Sequence, residues 1–125
     1  MPIAIGLRYE VSLTVTDADT AVTFGTGEVA VLATPRVVAL CEEAARLAVA
    51  AALSQGETTV SSRVELSHVT PVAVGATVRA EAILERVEGR RLVFAVSVAD
   101  SRGLVAAGRV TRVVVETDRF LKRAQ

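Results

Sequence analysis

The chain has no tryptophan, one tyrosine and three phenylalanines, so aromatic residues make up only 3% of its 125 positions. A core packed to ordinary density must therefore be assembled from valine, leucine and alanine, and the surplus of valine leans towards strands. A single cysteine, Cys41, excludes an intramolecular disulfide framework and any multi-cysteine metal site. It suits a reducing, cytoplasmic setting. One cysteine and one histidine at unrelated positions do not make a metal site, and none is expected. Excess charge of either sign is also missing, with 14 basic and 14 acidic residues. A protein that grips nucleic acid by its phosphates normally carries a basic surplus, and a polybasic membrane patch is missing for the same reason. The opening MPIAIGLRYEVSL is broken by Arg8 and Glu10, so no secretory leader is expected. The longest apolar stretch, Val37 to Leu53, contains Glu42, Glu43 and Arg46, which makes it a poor membrane span.

What remains is a chain that is 51% hydrophobic with no break in composition, read as one domain over residues 1–125. Residues 7–15 alternate polar and apolar and predict a strand. Residues 16–33 carry Asp17, Asp19, Gly25 and Gly27 and read as an irregular connection. Thr34 followed by Pro35 is a helix start, with Thr34 as the capping hydroxyl and Pro35 at the first helical position. The Ala- and Leu-rich run that follows should continue to just before Gly56. After Gly56 the period changes to two. Val60, Ser62, Val64, Leu66 and His68 are placed on one face of a strand, with Thr59, Ser61, Arg63, Glu65 and Ser67 on the other. Three further strands are expected over Thr77–Glu88, Leu92–Ala99 and Leu104–Glu116, joined by turns at Gly89-Arg90 and Asp100–Gly103. In the last strand, Val105, Ala107, Val113 and Val115 are placed together on one side. A short helix is expected over Asp118–Arg123. This order predicts an α+β fold, an antiparallel sheet around one long, very apolar helix. One sheet cannot cover such a helix all round, so a second copy of the chain is expected to do part of it.

The succession from Thr34 to Gln55, followed by TTVSSRVELSHVTPVAVGATVRAEAILERVEGRRLVFAVSVAD, resembles the hotdog thioesterases of the fluoroacetyl-CoA thioesterase type. The pieces that carry the likeness are the Thr before the central helix, the Glu within it, the strand ending SHVTP and the hairpin VEGRRL. Their order holds from about residue 7 to residue 120. The resemblance implies hydrolysis of an acyl-CoA thioester at a cleft near a subunit interface, by a homodimer or dimer of dimers. It implies no cofactor, since CoA is part of the substrate. By position it assigns a catalytic Thr, Glu and His to Thr34, Glu42 and His68. The family's aromatic lid has no counterpart in Gly25–Ala33, the nearest aromatic being Phe24, and a family glycine near the substrate is Ser61 here.

The residues themselves fit that chemistry. Thioester hydrolysis needs a nucleophile, a group to manage its proton and donors for an oxyanion. His68 ends its strand beside Thr70 and Pro71, where a cleft can open. Glu42 is rotated ~100° from Glu43 and towards the apolar side of the helix, where a carboxylate is costly unless partnered or functional; pairing with Arg46 one turn on is the structural alternative. The start of the helix offers N–H groups and a field favouring negative charge. Phe24 and Ser61 are candidate substrate contacts, and Arg63, Arg90, Arg91 and Arg112 candidate partners for CoA phosphates. Cys41 lies on the apolar helix face as a small hydrophobe. Two other readings stand beside the hydrolase: a hotdog module that binds an acyl thioester or small ligand without turnover, and an acyl-CoA hydratase or dehydratase on the same fold.

Overall fold

In the computed structural model, which describes residues 2–125, five strands form one antiparallel sheet against a long helix. The strands are β1 (Arg8–Thr14), β2 (Glu57–His68), β3 (Thr77–Glu88), β4 (Arg91–Asp100) and β5 (Gly103–Glu116), in the order β1-β3-β4-β5-β2. Strands β3, β4 and β5 are successive hairpins. The two-residue turn at Gly89-Arg90 needs a positive φ, which Gly89 supplies at +63° without the steric cost a side chain would bring. The helices are α1 (Ala21–Phe24), α2 (Thr34–Val49) and α3 (Thr117–Arg123).

Helix α2 lies across the sheet and touches all five strands. Val37, Leu40, Cys41, Ala44, Ala45, Ala48 and Val49 form its buried stripe, and they meet Val78, Ala80, Ala82, Leu84, Leu92, Phe94, Val96 and Val98 of β3 and β4. Phe94 is the one large aromatic in the core; the remainder is the Val, Leu and Ala packing that the composition requires. Each fully buried side chain of this kind contributes roughly 1.5–3 kcal/mol. The opposite side of α2 is uncovered: Ala39 and Arg46 are exposed and Val38, Glu42, Glu43 and Leu47 half-buried.

The helix and two strand faces differ from expectation. Helix α2 ends at Val49 and continues only as a 3-10 turn, Ala50–Ala52, short of Gly56. In β2 the pairing with β5 shifts by one residue between Ser61 and Arg63. This bulge adds a residue and reverses the alternation. Thr59 and Ser61, expected opposite to Val64, Leu66 and His68, therefore lie on the same helix-facing side. On β5 the buried residues are Val105, Ala106, Val110, Arg112 and Val114, while Val113 and Val115, expected on the same side as Val105, lie on the outer face. At Gly108 on β5 the backbones approach so closely that a Cβ would sit 1.9 Å from the Glu65 carbonyl oxygen, so only glycine fits.

Candidate active site

At the N-terminal end of α2, the Thr34 hydroxyl lies 2.8 Å from Nδ1 of His68, the last residue of β2. The other ring nitrogen, Nε2, is 3.1 Å from the Thr70 carbonyl. A carbonyl only accepts, so Nε2 carries the proton and Nδ1 presents its lone pair to the threonine hydroxyl, which donates. A hydroxyl is thus bonded to a base whose ring is oriented by a third group, the arrangement that activates a nucleophile. This geometry replaces the capping role expected for Thr34. The residue that caps α2 is Ala33, Thr34 is the first helical residue, and its hydroxyl is drawn to a strand 34 residues away.

The pair opens on a cleft of about 360 Å³. Ala21, Thr26, Val31 and Leu32 of the 16–33 connector form one wall, and Val69, Thr70 and Pro71 the other. The connector is held in three places. Leu32 N–H bonds to the Val72 carbonyl, Ala33 N–H bonds to the Asp19 carbonyl, and the Asp19 carboxylate accepts from Arg36 Nε at 2.9 Å. Asp19 also accepts from the N–H and hydroxyl of Thr16. The Thr16 N–H, with Arg36 beside it, holds this carboxyl below its usual value against the opposing effect of burial. The clip fastens the cleft wall to the first turn of α2, two residues from Thr34. Thr16 and Asp19, three residues apart, form a local capping box at the start of the clip.

A second polar cluster lies further along the helix. Arg112, only 5% exposed, donates from Nε to the Thr59 hydroxyl (2.8 Å), from Nη2 to the Thr59 carbonyl (2.7 Å) and from Nη1 to the Ser61 hydroxyl (2.7 Å). Glu42 Oε1 is 3.7 Å from Nη1. Arg112 is therefore a buried hub rather than surface charge, and it, not Arg46, is the partner of Glu42. Burial pulls the Arg112 guanidinium below its usual range while the Glu42 charge pulls it back up. The β2 bulge makes the cluster possible by turning Thr59 and Ser61 inwards.

The structure thus joins Thr34 with His68, and Glu42 with Ser61 and Arg112, in two separate places. Eight helical steps separate Thr34 from Glu42, ~12 Å along the axis. Phe24 is exposed outside the lining of the cleft, and Arg63 pairs with Glu65 on the outer sheet surface. Cys41 is fully buried, and desolvation, with Glu42 adding to it, pushes its thiol up to about 12, which removes it as a nucleophile. Among the described residues no cluster of His, Cys, Asp and Glu is arranged to hold a metal ion.

Residues 15–118 match the family described as fluoroacetyl-CoA-specific thioesterase. The chain belongs to that family. A fluoroacetyl-CoA thioesterase of Streptantibioticus cattleyicolor is 34% identical over 90 residues, 72% of this chain and 65% of the relative, so the match spans just under two thirds of that protein. Over the whole fold the agreement is closer. A solved structure of a fluoroacetyl-CoA thioesterase superposes with a TM-score of 0.92 at 27% identity, covering 99% of this chain and 96% of that one. A hot-dog-like protein from Thermanaerovibrio acidaminovorans gives 0.88 at 28% identity, covering 96% and 89%. The fold of this thioesterase-family chain is the hotdog, as the sequence implied.

Proposed function

We propose that the chain hydrolyses small acyl-CoA thioesters in the cytoplasm, at the Thr34–His68 cleft and as a homodimer. The observation that carries this reading is the 2.8 Å contact between the Thr34 hydroxyl and a His68 nitrogen whose tautomer is set by the Thr70 carbonyl. In the first step His68 Nδ1 takes the hydroxyl proton as Thr34 Oγ1 attacks the thioester carbonyl carbon. The oxyanion develops towards the start of α2, where the helix field favours negative charge. The C–S bond breaks, and the proton passes from His68 to the departing CoA sulfur. Water then attacks the threonyl ester, His68 takes its proton and returns it to Thr34 Oγ1, and the free acid leaves. No redox or metal step is needed.

Glu42 joins this scheme through a second copy. Strand β2 has an open outer edge 12 residues long, against 7 for the open β1 edge, and an unpaired edge is a template for another strand. Two β2 strands paired antiparallel about their midpoints place His68 of one copy opposite Glu57 of the other, near Thr59 and hence near Arg112 and Glu42. The carboxylate of one copy, oriented by its Arg112, then holds the water for the other copy's threonyl ester. The same pairing covers the open side of α2. The modest cleft with Ala, Val and Leu walls favours short or branched acyl groups, and with no aromatic residue in 25–33 fluoroacetyl-CoA becomes one short ester among several.

Free-thiol release from a panel of acyl-CoA esters, from acetyl and fluoroacetyl to long-chain and aromatic, tests the proposal. Wild type should turn over short esters, and Thr34→Ala, Glu42→Gln and His68→Ala should each lower kcat by about 10²–10⁴ while ester binding persists. Binding without turnover on every ester would instead make the chain a ligand-binding module.

A further inference from the structure

The loop that follows His68 is held along its backbone by three neighbouring elements. Three successive carbonyls each accept a bond from a different one. The Thr70 carbonyl takes His68 Nε2 at 3.1 Å, the Pro71 carbonyl takes Arg102 Nη2 at 2.7 Å, and the Val72 carbonyl takes the Leu32 N–H at 2.8 Å. The Thr70 hydroxyl closes the same junction by donating to the Leu104 carbonyl at 2.8 Å. Arg102 belongs to the turn between β4 and β5, 31 residues from Pro71 in sequence. It is itself held by Asp100, whose Oδ1 accepts from the Arg102 N–H and whose Oδ2 accepts from Nε and Nη2. The Asp100 side chain is 4% exposed and that of Arg102 57%. The anchor thus lies inside the fold, and the arginine reaches from it across the surface. Nη2 carries two hydrogens in the plane of the guanidinium, so aiming one at Asp100 fixes the direction of the other, which Pro71 receives.

We propose that Arg102, clamped by Asp100, is a positioning residue for His68 and sets its tautomer through the Pro71 and Thr70 carbonyls. Its effect on rate rests on the reading of Thr34 and His68 as the reacting pair. The ring of Pro71 locks φ, so one free torsion separates the carbonyl that Arg102 holds from the carbonyl that His68 meets. Thr70, which precedes the proline, is confined to extended backbone. Holding the Pro71 carbonyl therefore fixes the aim of the Thr70 carbonyl. An acceptor fixed there selects the imidazole with its proton on Nε2 and leaves Nδ1 bare towards the Thr34 hydroxyl. Without Arg102 the loop keeps its bonds to β5 and to Leu32, but the Thr70 carbonyl is free to turn. The ring then samples both tautomers, and only one of them can take the threonine proton. Arg102 stands outside the lining of the cleft, so it acts through the loop and not on a substrate.

The chain has one histidine, so the nitrogen NMR spectrum of the imidazole reads His68 alone. The test compares wild type with Arg102→Ala, Asp100→Asn and Arg102→Lys, each with the ring neutral, and measures kcat and KM on a short acyl-CoA. Wild type should show the proton on Nε2. In Arg102→Ala and Asp100→Asn both ring nitrogens should move towards the average of two exchanging tautomers, and kcat should fall about tenfold or more with KM unchanged. Arg102→Lys keeps a donor but not the fork, and should fall between. Wild-type resonances in Arg102→Ala overturn the proposal, whether or not kcat falls, and so does a wild type with its proton on Nδ1. A change confined to KM overturns it as well. Arg102 is exposed, so its replacement spares the core; should Asp100→Asn fail to fold, the two Arg102 variants decide. If wild type hydrolyses no ester, the hydrolase reading fails, and the resonances still decide whether Arg102 sets the tautomer.

Discussion

Arg112 shows how much one side chain can organise. Its planar fork satisfies a hydroxyl, a carbonyl and a second hydroxyl on β2, and Nη1, which bonds Ser61, also faces Glu42 on α2. Lysine keeps the charge but is a point donor on a flexible stem and cannot meet three fixed acceptors. Arg112→Lys should therefore cost about 1–3 kcal/mol in urea unfolding. It should also lower kcat with little change in KM, because Glu42 loses its orientation while the cleft stays intact. A lysine that restored full activity would show that only the charge matters. The sequence offers a signal here, a charge inside the apolar run Val110–Val115, but reading it points to CoA phosphates rather than to a buried hub. Glu42, Thr34 and His68 were legible through the resemblance and through position. The partner of each was not, because the Thr34–His68 contact spans 34 residues and its third member is a backbone carbonyl that no residue type marks.

At the scale of elements, the order of strands and helices was readable because period-two alternation and turn glycines are local signals. The assignment of faces failed where a local signal is lost. One bulged residue between Ser61 and Arg63 puts Thr59 and Ser61, which precede it, on the same face as Val64, Leu66 and His68, which follow it, and counting by twos cannot detect it. The 16–33 connector was equally opaque, since its order comes from the Asp19–Arg36 clip rather than from any period. That clip has a pH signature. The folded Asp19 carboxyl is held below the unfolded value near 3.8, chiefly by the Thr16 N–H and also by Arg36. Its contribution is therefore fully present above that value and is lost as pH falls through the folded one. Glu57, through the Ser54 N–H, and Asp100, through Arg102, shift the same way. Asp19→Asn should be less stable than wild type at pH 7, and the difference should shrink as denaturation is measured below pH 4. A difference constant across that range would remove the clip from the account.

For the whole molecule, the proposed dimer makes activity depend on concentration, because Thr34 and His68 meet a Glu42 only across two chains. Sedimentation should give twice the 13.1 kDa chain mass. The specific rate per chain should fall on dilution in step with dissociation; a rate unchanged through dissociation would place the whole reaction within one chain. The sheet also has a second open edge at β1. A sheet that could accept strands at both ends would grow into a fibre. Strand β1 is short and its outer half carries exposed Arg8, Tyr9 and Glu10, with Arg8 bonded sideways to Glu81 on β3. Docking another copy there would strip water from those charges. With the proposed β2 pairing, growth would stop after one addition and give a finite ten-stranded sheet rather than a filament.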